Sequence, residues 1–266
     1  EPYRVSVAVS ARPVLRVVEH HFLVYRRTWR GTVFSTFFSP LMFLAAIGVG
    51  LGSFVDEANP AGIEGVGYLA FLAPGLLVAQ AMQTASFEST YPVMAGIRWL
   101  KTYVAMILSP LQVWHVALGQ LLWVGLRSAF GATVFVFVMV VFDAVQLQHA
   151  PALVVVATIT GFAFAAPIQG FSATQTGDAN FANLFRFVIM PMFIFSGTFV
   201  PISQLPELLQ LVAVATPLWH AVSLSRGIAL ETLEPGLALV NLAYLLTMTA
   251  AGAVWSVRTF SRKLAE

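Results

Sequence analysis

Long, unbroken apolar runs separated by short polar or proline-broken connections make up most of this chain. Lipid offers the backbone no hydrogen bonds, so a segment that crosses it is either a helix, which closes its own bonds, or a strand in a closed barrel. Barrel strands alternate apolar and polar positions over about ten residues, and the runs here do not alternate. Six runs approach or exceed the about 20 residues that a helix needs to cross a hydrocarbon core of about 30 Å. They predict spans near 32–54, 65–87, 113–142, 151–173, 183–200 and 237–257.

Two further segments have patterns of their own. Residues 13–30 place Val14, Val18, Phe22, Tyr25 and Trp29 at helical spacing, with Arg16, His20, Arg26, Arg27 and Arg30 over much of the remaining circumference. That pattern predicts an amphipathic helix lying at the membrane interface, the alternative being a soluble helix packed on another domain. Residues 201–236 are apolar but interrupted by Pro201, Pro206, Pro217 and Pro235. Each proline removes a backbone donor and crowds the preceding turn, so a simple span is excluded. Two half-helices dipping into the outer leaflet, their irregular backbone buried by protein, are expected instead.

Composition changes the picture by excluding water as the main solvent. The chain is 58% hydrophobic and 10% charged, against about 25% charged in soluble domains, and its mean hydropathy is +0.82. The expected fold class is therefore an all-α integral membrane protein. Residues 1–30 form a cytoplasmic segment with the interfacial helix, 31–258 a single six-helix transmembrane domain, and 259–266 a cytoplasmic tail.

Charge sets the expected orientation. With a cytoplasmic N-terminus the inner side holds Arg4, Arg12, Arg16, Arg26, Arg27, Arg30, Arg98, Lys101, Arg186, Arg258, Arg262 and Lys263, and the outer side holds Arg226. The outer connections carry Asp56, Glu57, Glu64, Asp143, Glu207, Glu231 and Glu234. The positive-inside bias places both termini in the cytoplasm of a plasma-membrane protein. Because the basic residues are scattered over several connections and form no stripe, no nucleic-acid partner is expected.

The chemistry is mostly one of exclusions. Cysteine is absent, so disulfides, Cys-ligated metals and thiol catalysis are ruled out. His115, His149 and His220 have no zinc-site spacing, and no nucleophile and base converge, so neither a metal nor an enzymatic activity of its own is expected. A phosphate-binding loop needs Gly-Lys before Ser or Thr, yet Lys101 and Lys263, the only lysines, do not follow glycine. If ATP drives this protein, ATP and Mg bind to another chain.

Three groups of residues remain as candidates. Arg98, Trp99, Lys101 and Tyr103, in the connection 88–110, form a basic and aromatic cluster suited to the interface. They would either present a knob to a cytoplasmic partner or anchor the adjoining spans. Phe185, Phe187, Met190, Met192, Phe195 and Phe199 give the fifth span a broad polarisable surface that suits varied apolar ligands; bundle packing or lipid contact is equally open for each. Arg127 falls inside the third span, where a charge costs at least about 2.5–3.5 kcal/mol. It therefore needs a partner or an interfacial position; if the membrane segment is 128–147 it snorkels at the cytoplasmic boundary, with a substrate or coupling role as the alternative. In the fourth span, Pro167, Gly161 and Gly170 predict a kink near Gln169, Thr174 and Gln175, polar groups that cap the helix end or line a gate.

The run L-A-P-G-L-L-V-A-Q-A-M-Q-T-A-S-F-E-S-T at 72–90, with the connection after it, resembles the permease subunits of type-2 ABC exporters, especially the nodulation-factor and daunorubicin-type permeases. So does M-F-I-F-S-G-T-F-V-P-I-S-Q-L-P at 192–206, continuing to Pro217, Leu218 and Arg226, with Val200 where the family often has a second Phe. The resemblance spans essentially the whole chain. It implies that 13–30 is the connecting helix and that Arg98 to Tyr103 is a coupling helix seated in a cytoplasmic ABC ATPase. Ser196, Gly197, Pro201, Leu205, Pro206, Pro217 and Arg226 would mark the external re-entrant hairpin. It further implies two permease copies, as a homodimer, with two ATPase subunits. Between the permeases an amphiphilic drug-like molecule or a lipid-linked or acylated oligosaccharide would pass, along the second and fifth spans. The competing class is an ion-gradient-driven secondary transporter, which normally pairs acids or histidines inside spans; the spans here carry Asp and Glu only at their edges.

Overall fold

The computed structural model describes residues 12–264, without the side chains of residues 32–36, 39, 48 and 49. Arg4, the start of the 1–30 segment and the end of the 259–266 tail lie outside the described residues. The described chain is helical apart from turns and one isolated bridge between Ile63 and Val66. In order, the helices are α1 (Arg12–Phe43), α2 (Gly52–Ala58), α3 (Tyr68–Glu88), α4 (Tyr91–Met94), α5 (Thr102–Ile107) and α6 (Val113–Val141). Then follow α7 (Ala150–Thr174), α8 (Ala179–Leu184), α9 (Met190–Phe195), α10 (Glu207–Ala215), α11 (Pro217–Ala229) and α12 (Pro235–Leu264). Wider π-helical turns at Leu44–Leu51, Ala95–Trp99 and Phe185–Ile189 join neighbouring pieces.

Among the described residues, five helical segments are long and apolar enough to cross a membrane: Pro40–Ala58, Tyr68–Trp99, Val113–Val141, Leu147–Thr174 and Pro235–Leu264, or six if the bent pair Glu207–Ala215 and Pro217–Ala229 counts as one span. The amphipathic segment and the first of these form one helical path, with no break at the 30/31 boundary. The helix of the fifth predicted span is displaced toward the N-terminus, running from Ala179 to Phe195. Beyond it Gly197 takes a φ of +79°, a left-handed conformation that only glycine adopts cheaply. Pro191 also disturbs this span, since its ring crowds the carbonyl four residues back; the helix widens into its π turn over Phe185–Ile189 there.

The bundle is built around α3, 72% of whose apolar window is buried, against 12% for the first span and 17% for the last. It packs on α6, α7 and α11. The α12 helix lies along α7, where small residues let the backbones meet: a Cβ on Gly252 would sit 2.6 Å from Pro167. Close approach of this kind replaces the hydrophobic drive that lipid removes.

One end of the bundle gathers Val17, Ile97, Tyr103, Val116, Ala173, Phe260 and Leu264 into a second core. That end joins α1, the α4–α5 segment, the start of α6 and the ends of α7 and α12. It is the end that carries Arg98, Lys101 and Arg258. At the opposite end the Asp56 carboxylate accepts from the Tyr68 amide at 2.9 Å, and His149 meets Glu231 at 3.2 Å. The fold thus separates the basic connections from the acidic ones.

Candidate functional site

Three regions carry the predicted residues. The first is the groove between α3 and the helix Ala179–Phe195. Although α3 is otherwise enclosed, Gln80, Gln83, Thr84 and Phe87 recur at helical spacing on its less buried side. Gln83 lines two adjoining pockets of about 560 and 280 Å³ together with Met190 and Phe193. Phe185, Ile189, Asn183 and Arg186 complete the larger, while Pro40, Phe43, Leu76, Gln80 and Phe135 complete the smaller. Of the sequence candidates, Phe185 and Met190 line this groove. Met192 and Phe199 pack on the core instead, Phe199 standing edge-on to Phe193 with ring centres 5.1 Å apart. Phe187 and Phe195 point outward. Phe193, Gln80 and Gln83 went unremarked in the sequence; the i, i+3 spacing of two amides in an apolar helix was the available signal.

The second region is the turn after α9 and the pair α10–α11, which bend by 86° about Thr216. Thr216 caps α11 by accepting from the Trp219 amide at 3.4 Å, and Ser196 Oγ lies 3.2 Å from its hydroxyl. Pro217 occupies the first turn of α11, where its missing donor costs nothing. Arg226 ties the region together: Nε donates to the Phe71 carbonyl at 3.2 Å, Nη2 to those of Gly197 and Thr198 at 2.8 and 3.5 Å. Its guanidinium also lies 3.7 Å from the centre of the Phe71 ring. Ser225 Oγ adds a bond to the Pro74 carbonyl at 2.9 Å. Gly75 leaves room for this, since a Cβ there would press to 3.3 Å on Thr198. Pro201 is buried, whereas Leu205 and Pro206 lie toward the surface before α10, which turns Leu208, Leu211 and Val212 outward.

The third region is the connection from α3 to α6. Between its π turn and α5 lies an exposed tip at Trp99, Leu100 and Lys101, with Trp99 56% and Leu100 72% exposed; Leu108, past α5, is exposed as well. Lys101 has a φ of +52°, and this left-handed residue turns the π segment into α5. Arg98 is half-buried and donates through Nε to the Gln175 carbonyl at 3.1 Å. Tyr103 points inward and is fully buried; burial, then the nearby Glu88 charge, raises its phenol above the usual range, so it acts as a neutral donor.

Arg127 has the partner that its place inside a span calls for. The α6 helix ends at Val141, so residues 128–141 reach only about 21 Å and the segment 128–147 is not a helical span. Nη2 lies 3.3 Å from Glu88 Oε1, and the guanidinium stacks 4.5 Å from the centre of the Tyr25 ring. Gln169 is likewise buried, donating to the Ala117 carbonyl at 2.9 Å, while Thr174 and Gln175 close the end of α7. No group of His, Cys, Asp and Glu able to hold a metal ion occurs among the described residues.

A helical bundle with membrane-length apolar helices and a mixed aromatic and amide groove defines a multi-pass membrane protein. A sequence profile described as ABC-2 type transporter matches residues 14–230, and the chain belongs to that family as a membrane transport subunit. It is similar to Nodulation protein J of Sinorhizobium fredii (strain NBRC 101917 / NGR234), 26% identical over 89% of both chains. It is also similar to that of Rhizobium leguminosarum bv. trifolii, 30% identical over 81% of this chain and 80% of the relative. With Nodulation protein J of Azorhizobium caulinodans it shares 28% identity over 89% and 92%. No solved structure matches the chain.

Proposed function

We propose that this chain is the permease half of an ATP-driven exporter, working as a homodimer with two cytoplasmic ABC ATPase subunits that hold the ATP and Mg. The observation that carries the reading is the exposed Trp99–Leu100–Lys101 tip at the basic end of the bundle. A large aromatic, a bare leucine and a cation at one apex form an unusual surface feature unless something covers them. The positive-inside bias puts this apex in the cytoplasm, with both termini. Trp99, Leu100 and Lys101 then contact the ATPase, Arg98 braces the tip from behind, and Tyr103 acts from inside.

The groove between α3 and the helix Ala179–Phe195 is the proposed path. Its rings and thioethers adapt to a lipid-like portion, and Gln80 and Gln83 offer donors and acceptors to a polar portion. An amphiphile meets both needs: a drug-like molecule or an acylated or lipid-linked oligosaccharide. The α10–α11 pair serves as an external re-entrant hairpin, with Arg226 fixing it to α3. Closure of the ATPase pair on ATP favours one permease conformation over the other. The tip turns that differential binding into movement around the path.

The test is co-purification with the partner ATPase from a membrane expressing both chains. Trp99→Ala, Leu100→Ala and Lys101→Glu together should remove the ATPase from the complex while leaving the permease folded. Retention of the ATPase by this variant rejects the tip as the contact surface. Transport driven by a proton gradient with no ATPase present would support the ion-coupled alternative.

A further inference from the structure

Residues 88–127 contain a buried polar chain that the sequence did not announce. The Tyr103 hydroxyl donates to Gln120 Oε1 at 3.0 Å, and Gln120 Nε2 donates to the Glu88 carbonyl at 3.1 Å. The Glu88 carboxylate in turn accepts from Arg127 Nε and Nη2, both at 3.3 Å. Tyr25 of α1 closes the far side over the guanidinium. Tyr103 and Gln120 are almost wholly enclosed. The Tyr103 ring is seated so closely that a Cβ on Gly96 would lie 2.6 Å from it.

Helix is interrupted between α3 and α4, where Thr90 takes φ −102° and ψ −90°, and again between α5 and α6. The side-chain chain crosses both breaks, joining α5 through Tyr103 to the end of α3 at Glu88 and to α6 at Gln120 and Arg127. A buried ion pair adds little net stability over apolar packing, because desolvation offsets most of its attraction. What such a network supplies is a fixed geometry among the elements it joins.

Resting on the reading of the tip as the ATPase contact, we propose that Gln120 and the Glu88–Arg127 pair are positioning residues. They carry displacement of the tip segment into α3 and α6, so that ATP hydrolysis moves the walls of the path. Gln120 is the keystone, since its one side chain hydrogen-bonds both Tyr103 of the tip segment and the end of α3 at Glu88. None of these side chains belongs to the proposed tip or lines the proposed path.

The experiment uses the permease–ATPase complex in proteoliposomes and reads substrate transported per ATP hydrolysed, beside the amount of ATPase bound. Gln120→Leu should keep bound ATPase and basal hydrolysis. Its transport per ATP should fall about thirtyfold, the equivalent of ~2 kcal/mol for the two hydrogen bonds lost. Glu88→Arg and Arg127→Glu should each lower the ratio further, and the double exchange should recover part of it, which a loss of folded protein would not do. An unchanged ratio in Gln120→Leu, or no recovery in the double exchange, overturns the inference. A wild-type chain that binds no ATPase overturns the reading of the tip instead, and this inference with it.

Discussion

His21 sits on the inner side of α1 between Tyr103 and Trp123, its ring stacked on the indole with centres 5.8 Å apart. Its Nε2 is enclosed without a hydrogen-bond partner, so a charged ring has nothing to receive its second proton. Burial first, then the neighbouring His20, pull its pKa from 6.5 down to about 4. The folded state therefore binds a proton less readily than the unfolded one. The stability from the docked neutral ring is complete above about pH 6.5 and is lost as pH falls toward about 4. Docking of α1 on α6, followed by Trp123 fluorescence, should weaken across that window, and His21→Leu should flatten the dependence. The identity of such residues was legible in the sequence, but their partners were not. Arg127 reads as a lone charge until Glu88, 39 positions earlier, is brought within 3.3 Å.

At the scale of elements, α10 and α11 show what proline pattern and packing each contribute. Four prolines make a straight span impossible, and this much is local chemistry. Where the resulting bend docks is not local: Arg226 reaches carbonyls at Phe71, Gly197 and Thr198. Arg226→Met should cost about 4 kcal/mol, since each of the three charged hydrogen bonds lost is worth about 1.5–3 kcal/mol and relaxation returns part. The thermal midpoint of the detergent-solubilised chain checks this, and Arg226→Lys should recover only a fraction because one ammonium cannot serve all three carbonyls. The end of the fifth span is partly local: Ser196, Gly197 and Thr198 interrupt the apolar run, and the backbone turns at Gly197.

For the whole molecule, burial is uneven in a way that bears on assembly. The α3 helix is enclosed, whereas Leu51 and Phe54 of the first span and Phe187, Val188 and Ile194 of the fifth are turned outward. Lipid or a second copy covers them, and the proposed homodimer assigns the fifth helix to the partner. The chain has no cysteine, so a single cysteine at Phe187 reports proximity without background. Oxidation in native membranes should give a species of twice the 28.8 kDa chain mass, while a cysteine at the outward-facing Leu208 of α10 should not. A chain that stays at single mass from both positions speaks against a dimer through this helix.

Helix content, lipid as the main solvent, the split between basic and acidic connections and the family were all readable in the linear chain. Each depends on composition and on periodicity within about 20 residues, the scale on which a helix satisfies its own backbone. Which face of α3 stays open, what neutralises Arg127 and how Tyr103 is tied to Glu88 were decided by tertiary structure. These depend on contacts between residues far apart in sequence, set by glycine-sized clearances and by buried charges that must find a partner.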